Sequence, residues 1–152
     1  MEIKQLIKRS DFDQNKKLVH AFNQLNKLLI ELKKKDVPDK IIVVINNGID
    51  QINTESGTPK DCIKQLKKTH SSFLKLIEKE LKLVTKNHYR NTWMALGMAA
   101  FGLPLGVVFG SSLGNMGLLG IGLPIGMVIG MAVGSKMDKK AFEEGRQLDL
   151  ET

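Results

Sequence analysis

A stretch of 45 residues without a charged side chain, from Asn91 to Ser135, limits the fold of this chain more than any other feature. The same ten-residue pattern occurs twice within it, at 101–110 (FGLPLGVVFG) and at 121–130 (IGLPIGMVIG). As a helix the stretch would be about 68 Å long, whereas a hydrocarbon core is about 30 Å thick and takes about 20 apolar residues per crossing. The sequence therefore predicts a membrane hairpin, with crossings at about 92–112 and about 116–135.

Charge is divided unequally along the chain. Residues 1–90 contain 19 Lys/Arg and 11 Asp/Glu, and residues 136–152 contain 4 and 5. Basic residues flank both ends of the uncharged stretch, so the positive-inside rule predicts that both termini are cytoplasmic, as in a multi-pass protein of a bacterial inner membrane. The single cysteine, Cys62, excludes an intrachain disulfide and fits a reducing compartment. We expect a basic helical domain (1–90) for assembly and gating, a membrane hairpin (91–135) and a charged cytoplasmic tail (136–152).

Helical periodicity predicts three main helices in the basic domain. The first covers 2–35, and Ser10, Asp11 and Asp13 interrupt it and offer an N-cap for its second part. The earlier piece, with Ile3, Leu6 and Ile7, is predicted as a short separate helix or a turn. Its coiled-coil-like apolar stripe consists of Leu18, Phe22, Leu25, Leu29 and Leu32.

The second helix is predicted at 38–54, where Asp36 can cap and Pro38 suits the first turn. The β-branched run Ile41–Ile45 also fits a strand, but apolar residues at 41, 45, 49 and 52 favour a helix. The third helix begins with Thr58 as a cap and Asp61 three residues later. No helix breaker precedes the membrane segment, so we expect this helix to continue into the first crossing; the alternative is that it frays near Asn87–Asn91. The overall expectation is an all-α, homo-oligomeric protein.

Glycine is concentrated in the uncharged stretch, which holds 11 of the 14 glycines. Small residues four apart let membrane helices approach closely and pack by van der Waals contact. One predicted ridge consists of Gly102, Gly106, Gly110 and Gly114, and the other of Gly122, Gly126, Gly130 and Gly134. Their partner is either the other half of the hairpin or another subunit. Because one hairpin needs only one contact face, this much glycine favours a homo-oligomer.

Pro104 and Pro124 occupy equivalent places in the two repeats, and each removes a hydrogen bond to the carbonyl four residues earlier. Each proline either makes a kink that a neighbouring helix stabilises or faces a water-filled pore. The segment has no ionisable residue, which argues against a pump or coupled transporter and leaves a channel gated by constriction or a plain anchor.

The two runs 102–114 and 122–134 resemble those of glycine-zipper membrane proteins, small bacterial proteins whose GxxxGxxxG helices form pores or packed oligomers. The resemblance covers about a fifth of the chain and is specific for packing rather than for function. The layout of a cytoplasmic sensor domain joined to a short membrane segment is also similar to that of anti-phage membrane effectors. The Hailong channel effector, which single-stranded DNA holds in check, is one such type. The similarity would imply a defence role.

The sequence contains no nucleotide-binding loop, zinc spacing or catalytic triad, so we expect no enzyme activity, cofactor or metal. His20, His70 and His88 are isolated, and Cys62 is best interpreted as structural. Asp11/Asp13 and Glu78/Glu80 are better interpreted as capping and surface charges than as catalytic pairs.

The basic clusters are either solvated helix faces or sites for an anionic ligand or lipid. A ring of subunits would repeat each lysine around its axis and attract a nucleic acid or nucleotide by its phosphates. The candidate residues are Lys33, Lys34, Lys35, Lys67, Lys68, Lys82, Lys86 and Arg90.

Two functions follow from these observations. The leading hypothesis is an oligomeric channel or pore that the cytoplasmic domain gates, with lipid, other copies of the chain and an anionic ligand as partners. The alternative is a non-conducting, membrane-anchored scaffold that recruits another protein. A toxin that permeabilises its own host would differ from the channel only in regulation.

Overall fold

The structure is a computed structural model that describes residues 1–8, 12, 15–55, 57–115, 117 and 119–151. It divides into two compact units, Met1–Lys82 and Leu83–Thr152. The boundary therefore lies eight residues before the one expected from the charge pattern, which was after residue 90. The prediction of an all-α fold with two long apolar helices is confirmed, and the described residues add one small sheet.

Three helices form the core of the first unit: α1 (Lys16–Lys33), α2 (Asp39–Thr54) and α3 (Pro59–Leu81). The predicted stripe of α1 is buried, and so are Ile41, Ile45, Ile49 and Ile52 of α2. The strand alternative for Ile41–Ile45 is therefore excluded. The buried face of α3 consists of Cys62, Leu66, Thr69, Phe73 and Ile77.

The three helices of the first unit begin with different caps. Thr58 caps α3 as predicted: its Oγ1 accepts a bond from the Asp61 backbone nitrogen at 3.3 Å and donates one to Asp61 Oδ2 at 2.6 Å. The prediction for Asp36 is wrong, because Pro38 occupies the N-cap position of α2 and makes no side-chain cap. Asn15 caps α1 by accepting from the backbone nitrogens of the next turn. The cap predicted at Ser10, Asp11 and Asp13 lies outside the described residues.

The first eight residues adopt no regular secondary structure, so no helix forms in the piece that was expected as a short separate helix or a turn. Ile3 and Leu6 are buried, with 7% and 8% of their surface exposed. Side-chain amides of α2 bind the backbone of this segment, so its hydrogen bonds come from a distant part of the sequence.

The second unit contains the two apolar helices. The first runs over His88–Ser112 as α4 (His88–Gly97), one wide π-helical turn (Met98–Gly102) and α5 (Leu103–Ser112). The second is α6 (Leu119–Glu143), which packs on α4, the π turn and α5. Both helices are long and apolar enough to cross a membrane, and only 22% of each apolar window is buried. A core helix of a soluble protein would be mostly buried, so this exposure favours a membrane setting.

A two-stranded parallel sheet joins the chain just before α4 to the chain just after α6. It pairs β1 (Val84–Lys86) with β2 (Gln147–Glu151), and the Val84 backbone nitrogen donates to the Arg146 carbonyl at 3.0 Å. Ala141 and Leu148 are fully buried at this end of the hairpin. Part of the predicted charged tail is therefore an ordered element of the second unit.

The expected continuous helix from α3 into the first crossing is not formed. Helix α3 ends at Leu81, and its C-cap Lys82 adopts the left-handed conformation with φ 56°. Strand β1 follows, and Asn87 is again left-handed with φ 58° before α4 begins. Two left-handed residues and a strand therefore separate the helices, although no proline or glycine marks the break.

Candidate functional site: the glycine hairpin

The glycine ridges of the two apolar helices face each other within one hairpin. Gly102, Gly106 and Gly110 are buried on one helix, and the other helix buries a second set: Gly122, Gly126, Gly130 and Gly134. The partner of each ridge is therefore the other half of the same chain. The glycine content alone no longer argues for contacts with further subunits.

The distances show how closely the backbones approach. A methyl group added at Gly126 would lie 2.6 Å from the Gly102 nitrogen and 2.8 Å from its Cα. One added at Gly122 would lie 2.7 Å from the Gly106 Cα, and one at Gly134 would lie 2.5 Å from the Arg90 Cα. Since ordinary contacts begin near 3.4 Å, no larger residue fits at these positions without moving backbone.

Gly97 belongs to this interface although the four-residue spacing did not include it. A methyl group at Gly97 would lie 2.8 Å from the Gly130 Cα and would also meet the Gly126 carbonyl oxygen. In a regular helix, five residues would place Gly97 and Gly102 about 140° apart. The π turn at Met98–Gly102 contains one residue more than an α-helical turn. Gly97 and Gly102 therefore lie on the same face of the helix although they are five residues apart.

Gly114 was predicted to complete the first ridge, and it lies instead in the turn after α5. Its φ is +65°, and an added methyl group would meet nothing within 4 Å. The Asn115 nitrogen donates to the Gly110 carbonyl at 3.0 Å, a bond typical of a helix that ends in a left-handed residue. Gly114 therefore ends α5, where a side chain would be strained.

The two prolines lie on the outer face of the hairpin, and both are exposed. Pro104 follows directly on the π turn, in which the Leu103 nitrogen bonds the Met98 carbonyl five residues back. Pro124 lies inside α6 without such a turn. The same sequence motif thus has a different backbone in each repeat.

Asp138 closes the hairpin at the end where α4 begins, and sequence reasoning missed it. Its two carboxylate oxygens accept from the backbone nitrogens of Tyr89 and Arg90 at 3.0 and 2.9 Å. Asn87, the N-cap residue of α4, makes no side-chain cap, so the buried Asp138 of α6 caps α4 across the interface. The available signal is that Asp138 continues the four-residue series of Gly122–Gly134 by one step.

The candidate basic residues do not form one site. Lys33 and Lys34 are exposed at the end of α1, Lys34 pairs with Glu31 at 2.5 Å, and Lys35 is half-buried. Lys33 and Lys35 line a cleft of about 340 Å³ that also contains the acidic residues Glu2 and Asp36. A mixed lining of this kind does not select an anion.

The other basic residues are spread over both units. Lys82 is the left-handed C-cap of α3, Lys86 forms an ion pair with Asp149, and Arg90 is exposed in the first turn of α4. Lys67 and Lys68 belong to a basic face of α3, whose four exposed lysines lie within about 100° of one another around the axis. These are Lys64, Lys67, Lys68 and Lys75. No acidic residue occurs between Cys62 and Ile77, and Asp61 and Glu78 lie at the two ends of this stretch.

His70 lies at the edge of the α3 core, where partial burial lowers its pKa. Cys62 is buried. Among the described residues, no group of three or more His, Cys, Asp or Glu side chains is placed to hold a metal ion.

These features define a class of structure: a helical unit followed by a glycine-packed hairpin of two candidate membrane-spanning helices. Comparison with protein-family models, curated proteins and solved structures gives no match.

Proposed function

We propose that the chain is the subunit of an oligomeric channel in a bacterial inner membrane, gated by its cytoplasmic helical unit. The observation that carries the proposal is the outward position of Pro104 and Pro124, since every contact face made of glycine is used inside the hairpin. The assembling unit is then the closed hairpin, and neighbouring hairpins meet through their proline-bearing outer faces.

Pro124 leaves one backbone carbonyl of α6 without its regular helical donor. Pro124 has no N–H, so the Gly120 carbonyl loses its regular helical donor. Gly120 is exposed, and a methyl group added there would meet nothing within 4 Å. In hydrocarbon an unsatisfied backbone carbonyl costs several kcal/mol, whereas a neighbouring subunit or water in a lumen can supply a donor.

The chemistry of the outer face fits gating by constriction. No ionisable residue occurs between Asn91 and Ser135, and the exposed side chains are mostly apolar. A pore lined by such residues closes when its narrowest part dewets. The basic face of α3 is the best candidate for an anionic ligand such as a nucleic acid or nucleotide that sets the gate. An anti-phage effector would use a channel of this kind.

Single-channel recording in planar bilayers tests the proposal. We expect discrete conductance steps from the wild type and an altered open probability in Pro104→Ala and Pro124→Ala, which restore the missing donors. Pro59→Ala, in the first turn of α3, is the matched control outside the hairpin. Silence from a folded oligomer, even after treatment with high salt and nuclease, would exclude the channel.

One observation favours the scaffold as a second candidate. Because the two glycine ridges satisfy each other, a single copy is already a closed, two-helix membrane anchor. Substitution of Gly106 or Gly126 by Leu does not separate the two functions, because it would open the hairpin in either case. The proline variants do separate them: a scaffold should tolerate both, with unchanged binding of its partner protein.

A further inference from the structure

A groove of about 300 Å³ runs between α2 and α3 on the surface of the first unit. Helix α2 lines it over residues 44–51 and α3 over residues 65–73, which is about two turns of each helix. This volume lies at the lower end of the range for small-molecule sites, about 300–1,000 Å³. The groove therefore suits one small molecule better than a peptide or a protein surface.

Gly48 forms the floor of the groove at the middle of α2. A methyl group added there would lie 2.7 Å from Cζ of the Phe73 ring, so the ring packs directly against the glycine backbone. Glycine inside a helix is unfavourable relative to alanine, and here it keeps the middle of the groove free of a side chain. Beside it lies Val44, which is 48% exposed. The lower part of the groove thus offers an apolar surface to the face of a flat ring.

The walls of the groove carry amide side chains that the fold does not use. Asn46 and Asn53, on the inner side of α2, both spend donor and acceptor on the backbone of residues 1–8. Asn47, Gln51 and Gln65 line the groove, and within the described part of the chain their amides form no hydrogen bond. Each of them offers a donor and an acceptor to a ligand. A ligand with both kinds of group along one edge would match them.

The charge of the groove is positive. Among the described residues that line it, none is acidic, and Lys68 carries the charge. Lys64 and Lys75 lie within about 40° of Lys68 around the axis of α3 and so extend the same side of the groove. Asp61 and Glu78 lie seven and ten residues from Lys68, about 10 and 15 Å along the helix. The rim near Lys68 therefore favours an anionic group.

We propose that this groove binds a nucleotide, with the base between the amides of Gln51 and Gln65 and the phosphates on Lys68. The edge of a base carries donors and acceptors, and Asn and Gln amides bind adenine through two hydrogen bonds at once. The flat face of the base covers the apolar floor, whereas a phosphate without a base would leave both the floor and the amides unused. The inference rests on the proposed function in one respect, that the ligand of the α3 face sets the gate.

Equilibrium binding to the purified full-length protein in detergent tests the site. Titration calorimetry with ATP, GTP, CTP and UTP is compared with inorganic tripolyphosphate, which carries a similar charge without a base. We expect at least one nucleotide to bind about tenfold or more tightly than tripolyphosphate, because only a nucleotide uses the amides. Equal affinity for all five compounds would overturn the inference, and so would the absence of nucleotide binding at millimolar concentration.

Two adjacent lysines of α3 give a matched pair of variants. Lys68→Ala should weaken binding of the preferred nucleotide about tenfold, whereas Lys67→Ala removes the same charge about 100° away and should leave the affinity unchanged. Equal losses in the two variants would indicate a diffuse charge effect and overturn the site. Gln51→Ala with Gln65→Ala should weaken the nucleotide about tenfold and leave tripolyphosphate unaffected. Gln24→Ala, at an exposed position of α1, controls for the loss of a surface amide.

A polynucleotide is the other anion that the lysines of α3 could attract. Tighter binding of a deoxythymidine oligonucleotide than of any mononucleotide would place the ligand along the lysines rather than in the groove, and would overturn the inference. Conductance is a separate measurement. Channel steps from a protein that binds no nucleotide would remove the site and leave the channel, whereas nucleotide binding by a protein without steps would leave the site and remove the channel.

Discussion

Replacement of Gly126 by Ala tests the hairpin interface with a single methyl group. The added carbon would lie 2.6 Å from the Gly102 nitrogen, about 0.8 Å short of the 3.4 Å at which ordinary contact begins. Since the obstacle is backbone on both sides, the helices must separate by a similar distance. A gap of 0.5–1 Å forfeits about a quarter to a half of each van der Waals contact across the interface. Overpacking of this kind costs about 1–3 kcal/mol.

Gly120→Ala is the matched control on the same helix, because its methyl group would meet nothing within 4 Å. Both changes raise helix propensity by up to about 1 kcal/mol, so the difference between them isolates the interface. Trp93 is the only tryptophan, and its backbone faces Gly130, so its fluorescence can follow the hairpin during titration of detergent-solubilised protein with a denaturing surfactant. We expect Gly126→Ala to unfold about 1–3 kcal/mol more easily than Gly120→Ala. Equal unfolding of the two variants would refute the packing shown by these backbones.

Three further predictions concern caps and titration. Asp138→Ala should cost about 1–3 kcal/mol and speed hydrogen exchange at the Tyr89 and Arg90 amides, whereas Asp138→Asn keeps one acceptor and should lose less; equal exchange in all three proteins would contradict the cap. Thr58→Ala should destabilise the first unit by about 1 kcal/mol in chemical unfolding, and Thr58→Ser should restore most of it. Burial lowers the pKa of His70, so the unfolded chain binds the proton first, near pH 6.5, and the free energy of unfolding should fall as the pH drops below that value; His70→Gln should flatten this slope in melting curves taken from pH 7.5 to pH 5.

The parts of the fold that sequence could predict depend on local signals. The stripe from Leu18 to Leu32 is buried because its three- and four-residue spacing places it on one face of α1, whatever packs there. The Thr58 cap needs only residues within the same turn. The two apolar helices follow from length and composition. Each of these predictions needs only the residues of a single helix and not their partners elsewhere in the chain.

The parts that sequence could not predict depend on partners far along the chain. Ile3 and Leu6 fit a helical spacing, but their segment forms no helix, and its backbone instead binds the side-chain amides of Asn46 and Asn53. Strand β1 has three residues and no strand-like pattern of its own, and it exists because Gln147–Glu151 pairs with it. Helix α3 ends at Leu81 because the chain then pairs as a strand, and no proline or glycine near Leu81 marks this end in the sequence.

Glycines of the same repeated pattern either pack in the helix interface or lie in the hairpin turn, according to their distance from that turn. A 20-residue shift relates Gly97 to Gly117 as well as the later glycines, so the full pattern has spacings of five, four, four and four in each repeat. The last glycine of the first repeat, Gly114, and the first of the second repeat, Gly117, both lie in the hairpin turn and outside the interface; Gly117 is exposed. The spacing of five therefore lies in the interface only before α5, where the π turn brings Gly97 into line with the other glycines. In α6 the interface contains only the glycines that are four residues apart. If the π turn sets this register, insertion of one alanine between Gly97 and Gly102 should disrupt packing near Trp93, whereas deletion of one residue there should leave an unbroken four-residue ridge and a regular helix.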